Sequence, residues 1–142
     1  MATFDEFYRS LPEDSGKRGE FFEKVFVPWF LRTDPEWSNK IEKIWLWDEY
    51  PDRWGKDCGI DLVYRDNTGK HWAVQSKCVS PDREISKAEI NSFLSESNDP
   101  RIHGRLLIAS TDGIGRNAQQ VIDRQEKQVV CFLREHFRQS EV

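Results

Sequence analysis

Residues 59–77 have the sequence Gly-Ile-Asp-Leu-Val-Tyr, then Arg-Asp-Asn-Thr-Gly-Lys, then His-Trp-Ala-Val-Gln-Ser-Lys. The outer segments have the pattern of two short strands, and Asp66 to Gly69 are the turn residues of a short hairpin loop. An acid, Asp61, stands at the start of the first strand, and Gln75-x-Lys77 ends the second. The stretch therefore predicts a β-hairpin that carries a carboxylate, an amide and an amine at one end.

The two faces of the predicted strands separate these side chains. Because side chains alternate along a strand, Gln75 and Lys77 share one face and Ser76 points away from it. If the hairpin pairs in simple register, Asp61 faces the region of Gln75 and Lys77 across the strands. We therefore expect three polar groups to converge on one edge, with the side chain of Ser76 outside the site.

This set of groups suits the hydrolysis of a phosphodiester. A hard divalent cation such as Mg²⁺ takes oxygen ligands, usually one or two carboxylates with water and substrate phosphate. Asp61 is the first expected ligand, and the side-chain oxygen of Gln75 or the backbone carbonyl of Ser76 supplies another. A bound cation lowers the pKa of its water and polarises the phosphate. Lys77 would orient or help to deprotonate the water, or stabilise the developing negative charge.

The spacing Asp-x(n)-Gln-x-Lys resembles the PD-(D/E)xK nuclease motif in its Mrr-like form, in which Gln replaces the usual second acid. The short motif has little specificity alone, and four further segments strengthen the likeness: Gly19–Glu23, Ser86–Leu94, Leu106–Asp112, and Trp45–Pro51 with Arg53–Gly55. Over roughly residues 15 to 130, the chain is similar to the N-terminal nuclease domain of type ISP restriction-modification enzymes and related predicted helicases.

The resemblance implies a fold, an activity and partners. The fold would be α/β, a restriction-endonuclease-like core with a mixed central β-sheet flanked by helices. The activity would be that of a Mg²⁺-dependent DNA endonuclease of a restriction or phage-defence system, with Mn²⁺ able to substitute. The partners would be DNA and, in a longer chain, a helicase or translocase with methyltransferase or recognition domains. A dimer would suit double-strand cleavage, since one site cuts one strand.

The family's site residues map onto this sequence one by one. Asp61 corresponds to the metal-binding Asp, Gln75 to the Gln and Lys77 to the catalytic Lys. The acid of the family's first helix corresponds to Glu23, and Glu20, one turn earlier on the same helix, is the weaker candidate. Gln in place of Glu removes one charge from the metal site and makes Glu23 more important. The alternative for Glu23 is a helix-surface charge paired with a neighbouring lysine.

Other residues are candidates for DNA contact, each beside a structural alternative. Thr111, Arg116 and Asn117 lie where a loop meets a helix N-terminus, which suits either a phosphate or a cap and turn. Lys56 would contact the DNA backbone or remain a solvated loop charge. For the aromatic group before the hairpin, packing is favoured over base stacking; its members are Trp45, Trp47 and Trp54.

The remaining pattern predicts a single core. We expect a short helix capped by Thr3 and ended by Pro12, a loop at residues 14–19, and a helix at 19–32 that Pro28 bends or breaks. Strands are expected at 41–47, 60–64, 71–77, 105–110 and 129–133, with helices at 86–97 and 115–125. Three meandering strands followed by crossovers give a mixed sheet with helices on both faces.

The predicted division is an N-terminal helix at 1–14, a nuclease domain at 15–133 and a charged tail or linker at 134–142 with few core residues, in keeping with an excised domain.

Composition limits the other functions. The 142-residue chain has 13% aromatic residues, enough for a packed core, and a net charge of −4 with a pI of about 5.4. An acidic chain is a poor candidate for tight DNA binding by itself, which suits a nuclease module delivered by attached domains. The three cysteines form no zinc pattern. With no signal peptide and no membrane-length apolar run, we expect a cytoplasmic protein with reduced thiols and no membrane partner.

Two other functions remain open. One is a DNA- or partner-binding module that keeps the fold without the activity, against which the intact Asp-Gln-x-Lys set argues. The other is a structure-selective repair nuclease or junction resolvase on the same core.

Overall fold

The computed structural model describes residues 3–56 and 59–138. The helices are α1 (Phe4–Ser10), α2 (Ser15–Phe21), a π-helical turn (Phe22–Phe26), α3 (Val27–Thr33), α4 (Lys87–Glu96), α5 (Arg116–Asp123) and α6 (Arg134–Arg138). The strands are β1 (Ile41–Leu46), β2 (Leu62–Asp66), β3 (His71–Lys77), β4 (Glu84–Ile85), β5 (Ile102–Ala109), β6 (Gly113–Ile114) and β7 (Val129–Phe132). Two 3₁₀ turns flank β1, at Ser38–Lys40 and Trp47–Glu49.

A five-stranded mixed sheet in the order β1-β2-β3-β5-β7 forms the centre of the molecule. The first three strands are antiparallel neighbours, whereas β3, β5 and β7 run parallel. The parallel strands need crossover connections, which α4 and α5 provide. The expected α/β class and mixed central sheet flanked by helices are confirmed.

The two faces of the sheet bury two separate cores. Helices α1, α3 and α6 and the π-helical turn cover one face with an aromatic cluster that includes Phe26 and Phe137, whose ring centroids lie 5.1 Å apart. Helices α4 and α5 cover the other face, where Phe93 packs with the tryptophan-rich residues that follow β1. Burying each such phenylalanine stabilises the fold by about 1.5–3 kcal/mol. This packing fixes the π-helical turn, which carries Glu23, against β3.

The helix that carries Glu23 differs from its predicted form. It begins at Ser15 and not at residue 19, because the side chain of Asp14 caps it by accepting from the Lys17 N–H at 2.9 Å. It also continues past Pro28 to Thr33 without a break. The π-helical turn lies just before the proline, and the Val27 N–H donates to the Phe22 carbonyl five residues earlier. Such a turn inserts one extra residue and shifts the face that each side chain presents.

Two further differences lie late in the chain. A small parallel pair, β4 with β6, was not predicted. The segment from Arg134, expected to carry few core residues, forms α6 and places Phe137 in the first core with 1% exposure. Arg134 also pairs with Asp5 at 2.6 Å, so α6 is tied to the N-terminal helix. The division of the chain into three segments stays a prediction.

The cysteines that the structure describes are Cys78 and Cys131, both half-buried and free, while Cys58 lies outside the described residues. None of the helices within residues 3–56 and 59–138 has the length and apolar character needed to cross a membrane.

Candidate active site

The hairpin has the expected register. Leu62 pairs with Val74, and the Asp61 N–H extends the ladder by donating to the Val74 carbonyl at 2.9 Å. The side chain of Asp61 then crosses to the next residue of β3. Its Oδ2 accepts from the Ser76 N–H at 2.8 Å and lies 3.2 Å from the Ser76 hydroxyl.

The expectation that the Ser76 side chain lies outside the site is therefore wrong. Asp61 precedes the first residue of β2, so the pleat of that strand does not fix the direction of its carboxylate. The carboxylate takes the free donors of Ser76 on the neighbouring strand. Ser76 consequently holds Asp61 in place, with one bond from its backbone and one from its side chain.

Glu23 approaches Asp61 from the π-helical turn. The turn is anchored by Phe22 and Phe26, which are buried and stacked with centroids 5.0 Å apart. Glu20 is exposed instead and pairs with Lys24 at 2.8 Å. The structure thus separates the two candidate acids: Glu23 is half-buried beside Asp61, and Glu20 is a surface charge.

The carboxyl groups of Glu23 and Asp61 both have raised pKa values. Burial, followed by the charge of Asp61 and a hydrogen bond to it, raises the pKa of Glu23 to about 8. Burial also raises the pKa of Asp61, against the opposing effect of the Ser76 hydrogen bonds and the Lys77 charge. Two carboxylates in one poorly solvated place cannot both ionise without a counter-charge. A bound cation would therefore reduce the free-energy cost of ionising both carboxyl groups in this pocket.

A pocket of about 230 Å³ opens onto this pair. Besides Glu23 and Asp61, its lining includes Trp47, Asp48 and Lys56. Asp48 was missed in the sequence, although it stands in the tryptophan-rich block that carries the family resemblance. Its negative charge contributes to the raised pKa of Glu23. The pocket thus gathers three acids from three separate segments of the chain.

Gln75, two residues before the end of β3, is buried with 5% exposure. Its amide nitrogen donates to the Gly59 carbonyl at 3.2 Å. Its amide oxygen is buried and has no hydrogen-bond partner among the described residues. A buried acceptor without a partner costs about 1–3 kcal/mol. A bound cation or its water would satisfy this oxygen, although Gln75 is not among the residues that line the pocket; its role as a ligand stays a prediction.

The oxygen atoms available as metal ligands suit a hard cation. Glu23 and Asp61 supply two carboxylates and Gln75 an amide oxygen, a set typical of Mg²⁺ when water completes it. Within the described part of the chain, no group of three His, Cys, Asp or Glu residues forms a ready metal site. A cation here would therefore rely on amide, backbone and water oxygens, and the Ser76 carbonyl as a ligand stays a prediction.

The candidate DNA contacts fall into two groups. Thr111 is fully buried, and its hydroxyl contacts the Arg83 carbonyl at 2.8 Å and accepts from the Gly113 N–H at 3.1 Å. These bonds give Thr111 the turn role and not a DNA contact. Arg116 and Asn117 are exposed on the first turn of α5, and Lys56 is exposed at the pocket. For these three, contact with DNA stays a prediction.

The three tryptophans before the hairpin pack against the second core. Trp47 is buried with 4% exposure, and its indole donates to the Gly55 carbonyl at 2.9 Å. Trp45 and Trp54 are partly buried against the same core, and the Trp54 indole donates to Glu96 at 3.2 Å. Packing, the favoured alternative, is what the structure shows for this group.

A family model of the Mrr catalytic type, described as "Restriction endonuclease", matches residues 32–142. The chain belongs to this restriction endonuclease family. The match contains Asp61, Gln75 and Lys77, whereas Glu23 precedes it. The predicted Mrr-like identity is confirmed.

Solved structures agree with this assignment. The ATP-dependent Type ISP restriction-modification enzyme LlaBIII bound to DNA is 26% identical, with a TM-score of 0.77 over 97% of this chain. The MspJI restriction endonuclease in complex with a 27-mer oligonucleotide shares the fold, with 20% identity and a TM-score of 0.60 over 94% of this chain. The chain spans only 8% of the first protein and 29% of the second. No curated protein sequence matches it.

Proposed function

We propose that this chain is a divalent-cation-dependent DNA endonuclease module of a restriction or phage-defence system. One observation carries the proposal: the carboxyl groups of Glu23 and Asp61 meet in one pocket, where burial raises the pKa of both. Structural acids are normally paired with donors or bases, whereas perturbed acids in a cleft are typical of functional sites. Membership of a restriction endonuclease family gives the pair its chemical context.

Each residue has a task in this proposal. Asp61, Glu23 and Gln75 would hold Mg²⁺, with Mn²⁺ as a substitute, and the metal would neutralise the phosphate and acidify a bound water. Ser76 holds the carboxylate of Asp61 in position. Lys77 ends β3 close enough for its charge to act on Asp61, so its ammonium would orient the attacking water and stabilise negative charge on the phosphate.

Delivery to DNA would depend on other domains. The net charge of −4 gives the module little general attraction for a polyanion. Both structural relatives named above are described as complexes with DNA or an oligonucleotide, and both are far longer than this chain. We infer that a helicase or translocase, with methyltransferase or recognition domains, would bring the site to DNA in a longer protein. Cleavage of both strands would need two copies.

Nicking of supercoiled plasmid tests the proposal. The chain should nick in the presence of Mg²⁺ or Mn²⁺ and stop on addition of EDTA. Lys77→Ala should lower the rate by about 10²–10⁴-fold, the usual contribution of one positioned acid–base group. Lys87→Ala is the matched control, because Lys87 is an exposed lysine at the start of α4.

The two alternative functions, a non-catalytic binding module and a structure-selective nuclease, predict different outcomes of these assays. Equal nicking by Lys77→Ala and the control would contradict the assigned site. Binding of DNA without cleavage, both by this chain and by a longer protein that contains it, would favour the non-catalytic module. Cleavage of branched but not linear duplex would favour a structure-selective nuclease.

A further inference from the structure

A second, larger pocket lies at the opposite end of β3 from the candidate active site. Its volume is about 570 Å³, and the residues that matter for its chemistry are Tyr50, Lys70, His71, Arg101, His103 and Lys127. Strand β3 begins at His71 in this pocket and ends at Lys77 in the active site. Seven residues of strand span about 20 Å, so the two sites are separate.

The lining of this pocket is rich in cations. It includes Lys70, Arg101 and Lys127, against Asp52 as the acid that lines it. Arg101 is held by the carboxylate of the neighbouring Asp99 at 2.7 and 2.8 Å, and its guanidinium stacks over Trp54 at 4.3 Å. Lys70 is exposed, and its ammonium makes no hydrogen bond or ion pair within the described residues, so it is available to a ligand.

A buried positive charge, that of Arg105, lies next to Lys127 of the pocket and adds to the positive potential there. Arg105 has 0% exposure, and its hydrogen bonds go to neutral acceptors: the Leu94 carbonyl, the Ser97 hydroxyl, the Gln125 amide oxygen and the Lys127 carbonyl. A buried cation without an anion is costly, and the carbonyls at the end of α4 offset only part of that cost. Because Lys127 itself lines the pocket, an anion there would supply nearby negative charge.

Two imidazoles complete the set of donors. The Tyr50 hydroxyl and the Nδ1 atom of His71 form a hydrogen bond. When the hydroxyl donates, the neutral ring carries its proton on Nε2 and can donate to a ligand. His103 is exposed at the same pocket and packs edge-on against Trp72 at 5.4 Å.

We propose that this pocket binds a phosphate group of a ligand other than the DNA strand being cut. Lysine, histidine and arginine side chains are groups that proteins use to bind phosphate. The volume lies within the range of small-molecule sites, and the exposed Pro100 offers apolar surface beside the cations. The phosphate would come from a nucleotide or from a second DNA segment, since a phosphodiester at the Asp61 site lies about 20 Å of strand away from this pocket.

Titration calorimetry without divalent metal tests this binding, with deoxyadenosine monophosphate, inorganic phosphate and a twelve-base-pair duplex as probes. The monophosphate should saturate one site, and Lys70→Ala/Lys127→Ala should weaken it at least about tenfold, the equivalent of one charged contact. Asp61→Asn and Lys87→Ala should leave the affinity unchanged. Lys70→Ala alone serves if the double variant does not fold, since Lys70 is exposed on the hairpin turn.

The outcomes separate the two sources of phosphate. Monophosphate binding that depends on these lysines supports a nucleotide site. Duplex binding that depends on them, and not on Asp61, supports a second DNA segment. If no probe saturates, or if the lysine variants bind as the wild type does, the proposal is overturned. Plasmid nicking is a separate measurement, so failure of this proposal is distinguishable from failure of the nuclease site.

Discussion

Two aspartates flank the same short strand and experience opposite environments. Asp66 ends β2 at the hairpin turn, where its carboxylate accepts from the Thr68 N–H at 2.9 Å, the Lys70 N–H at 3.0 Å and the Trp72 indole at 3.0 Å. Although burial acts in the other direction, these bonds and the Thr68 hydroxyl lower the pKa of Asp66 to about 2. Asp66 is therefore an acid that completes the fold.

Asp61, immediately before β2, has a raised pKa because burial outweighs the bonds from Ser76. The nearby Glu23 adds a second carboxyl group where a structural site would place a donor or a base. Hydrogen bonding alone does not distinguish the two acids, since both accept bonds from backbone N–H groups. What distinguishes them is the burial of Asp61 and the second carboxyl group of Glu23 beside it, so Asp66 completes the turn whereas Asp61 belongs to the candidate site.

The largest expected effect is on activity. Asp61→Asn should abolish metal-dependent nicking, by about 10³-fold or more, because it removes a carboxylate ligand without changing side-chain size. Asp66→Asn, assayed at low temperature on folded protein, should nick at close to the wild-type rate. A similar loss in both variants would erase the distinction between the two ends of β2.

The next effect is on thermal stability, where loss of Asp66 should matter more than loss of Asp61. Asp66→Ala removes several hydrogen bonds of the turn and should destabilise the protein by about 2 kcal/mol, which lowers Tm by roughly 5 °C. Asp61→Asn should leave the Tm of the metal-free protein unchanged or higher, since a poorly solvated charge is lost. Thermal melting followed by circular dichroism checks both variants. A stable Asp66→Ala protein would contradict the structural role.

A smaller effect concerns pH. The pKa of Glu23 is about 8 in the folded protein against 4.5 ordinarily, so the folded state retains a proton that the unfolded state releases. The stability of the metal-free protein should therefore fall as pH rises from about 4.5 to 8. Glu23→Gln should remove this part of the decline, on the order of 1–2 kcal/mol at pH 9 after screening of a half-exposed group. Melting curves at pH 4 and pH 9 test this.

Glu20→Gln is the matched control for that experiment. Glu20 lies on the same helix, is exposed and pairs with Lys24, so its removal should not flatten the pH dependence. Equal behaviour of the two variants would show that the decline does not arise at Glu23.

The smallest effect is stabilisation by the metal itself. At concentrations several times its dissociation constant, Mg²⁺ should add about 1 kcal/mol to the stability of the wild type at pH 8, by mass action. The increase in Tm should vanish in Asp61→Asn and persist in Asp66→Ala. Fluorescence of Trp47, which lines the pocket, offers a second readout. An unchanged metal effect in Asp61→Asn would place the cation elsewhere.

Local rules were enough for much of the fold. The hairpin, the capped helix α4 and the buried strand β5 were predicted, because alternation, turn residues and capping act between residues close in sequence. The predictions failed where distant packing decides. The helix start at Ser15 and the π-helical turn accompany the docking of Phe22 and Phe26 on the sheet, and α6 forms where Phe137 reaches the first core.

The hairpin, the order of Asp61, Gln75 and Lys77 along it, and the family to which they point are all readable from the sequence alone. Packing of distant segments is what brings Glu23 and not Glu20 to Asp61, and what lets the Ser76 side chain hold that carboxylate. The reason is physical. Strand alternation is a local property of the backbone, whereas the burial and charge of a site arise from segments that meet only when the chain has packed.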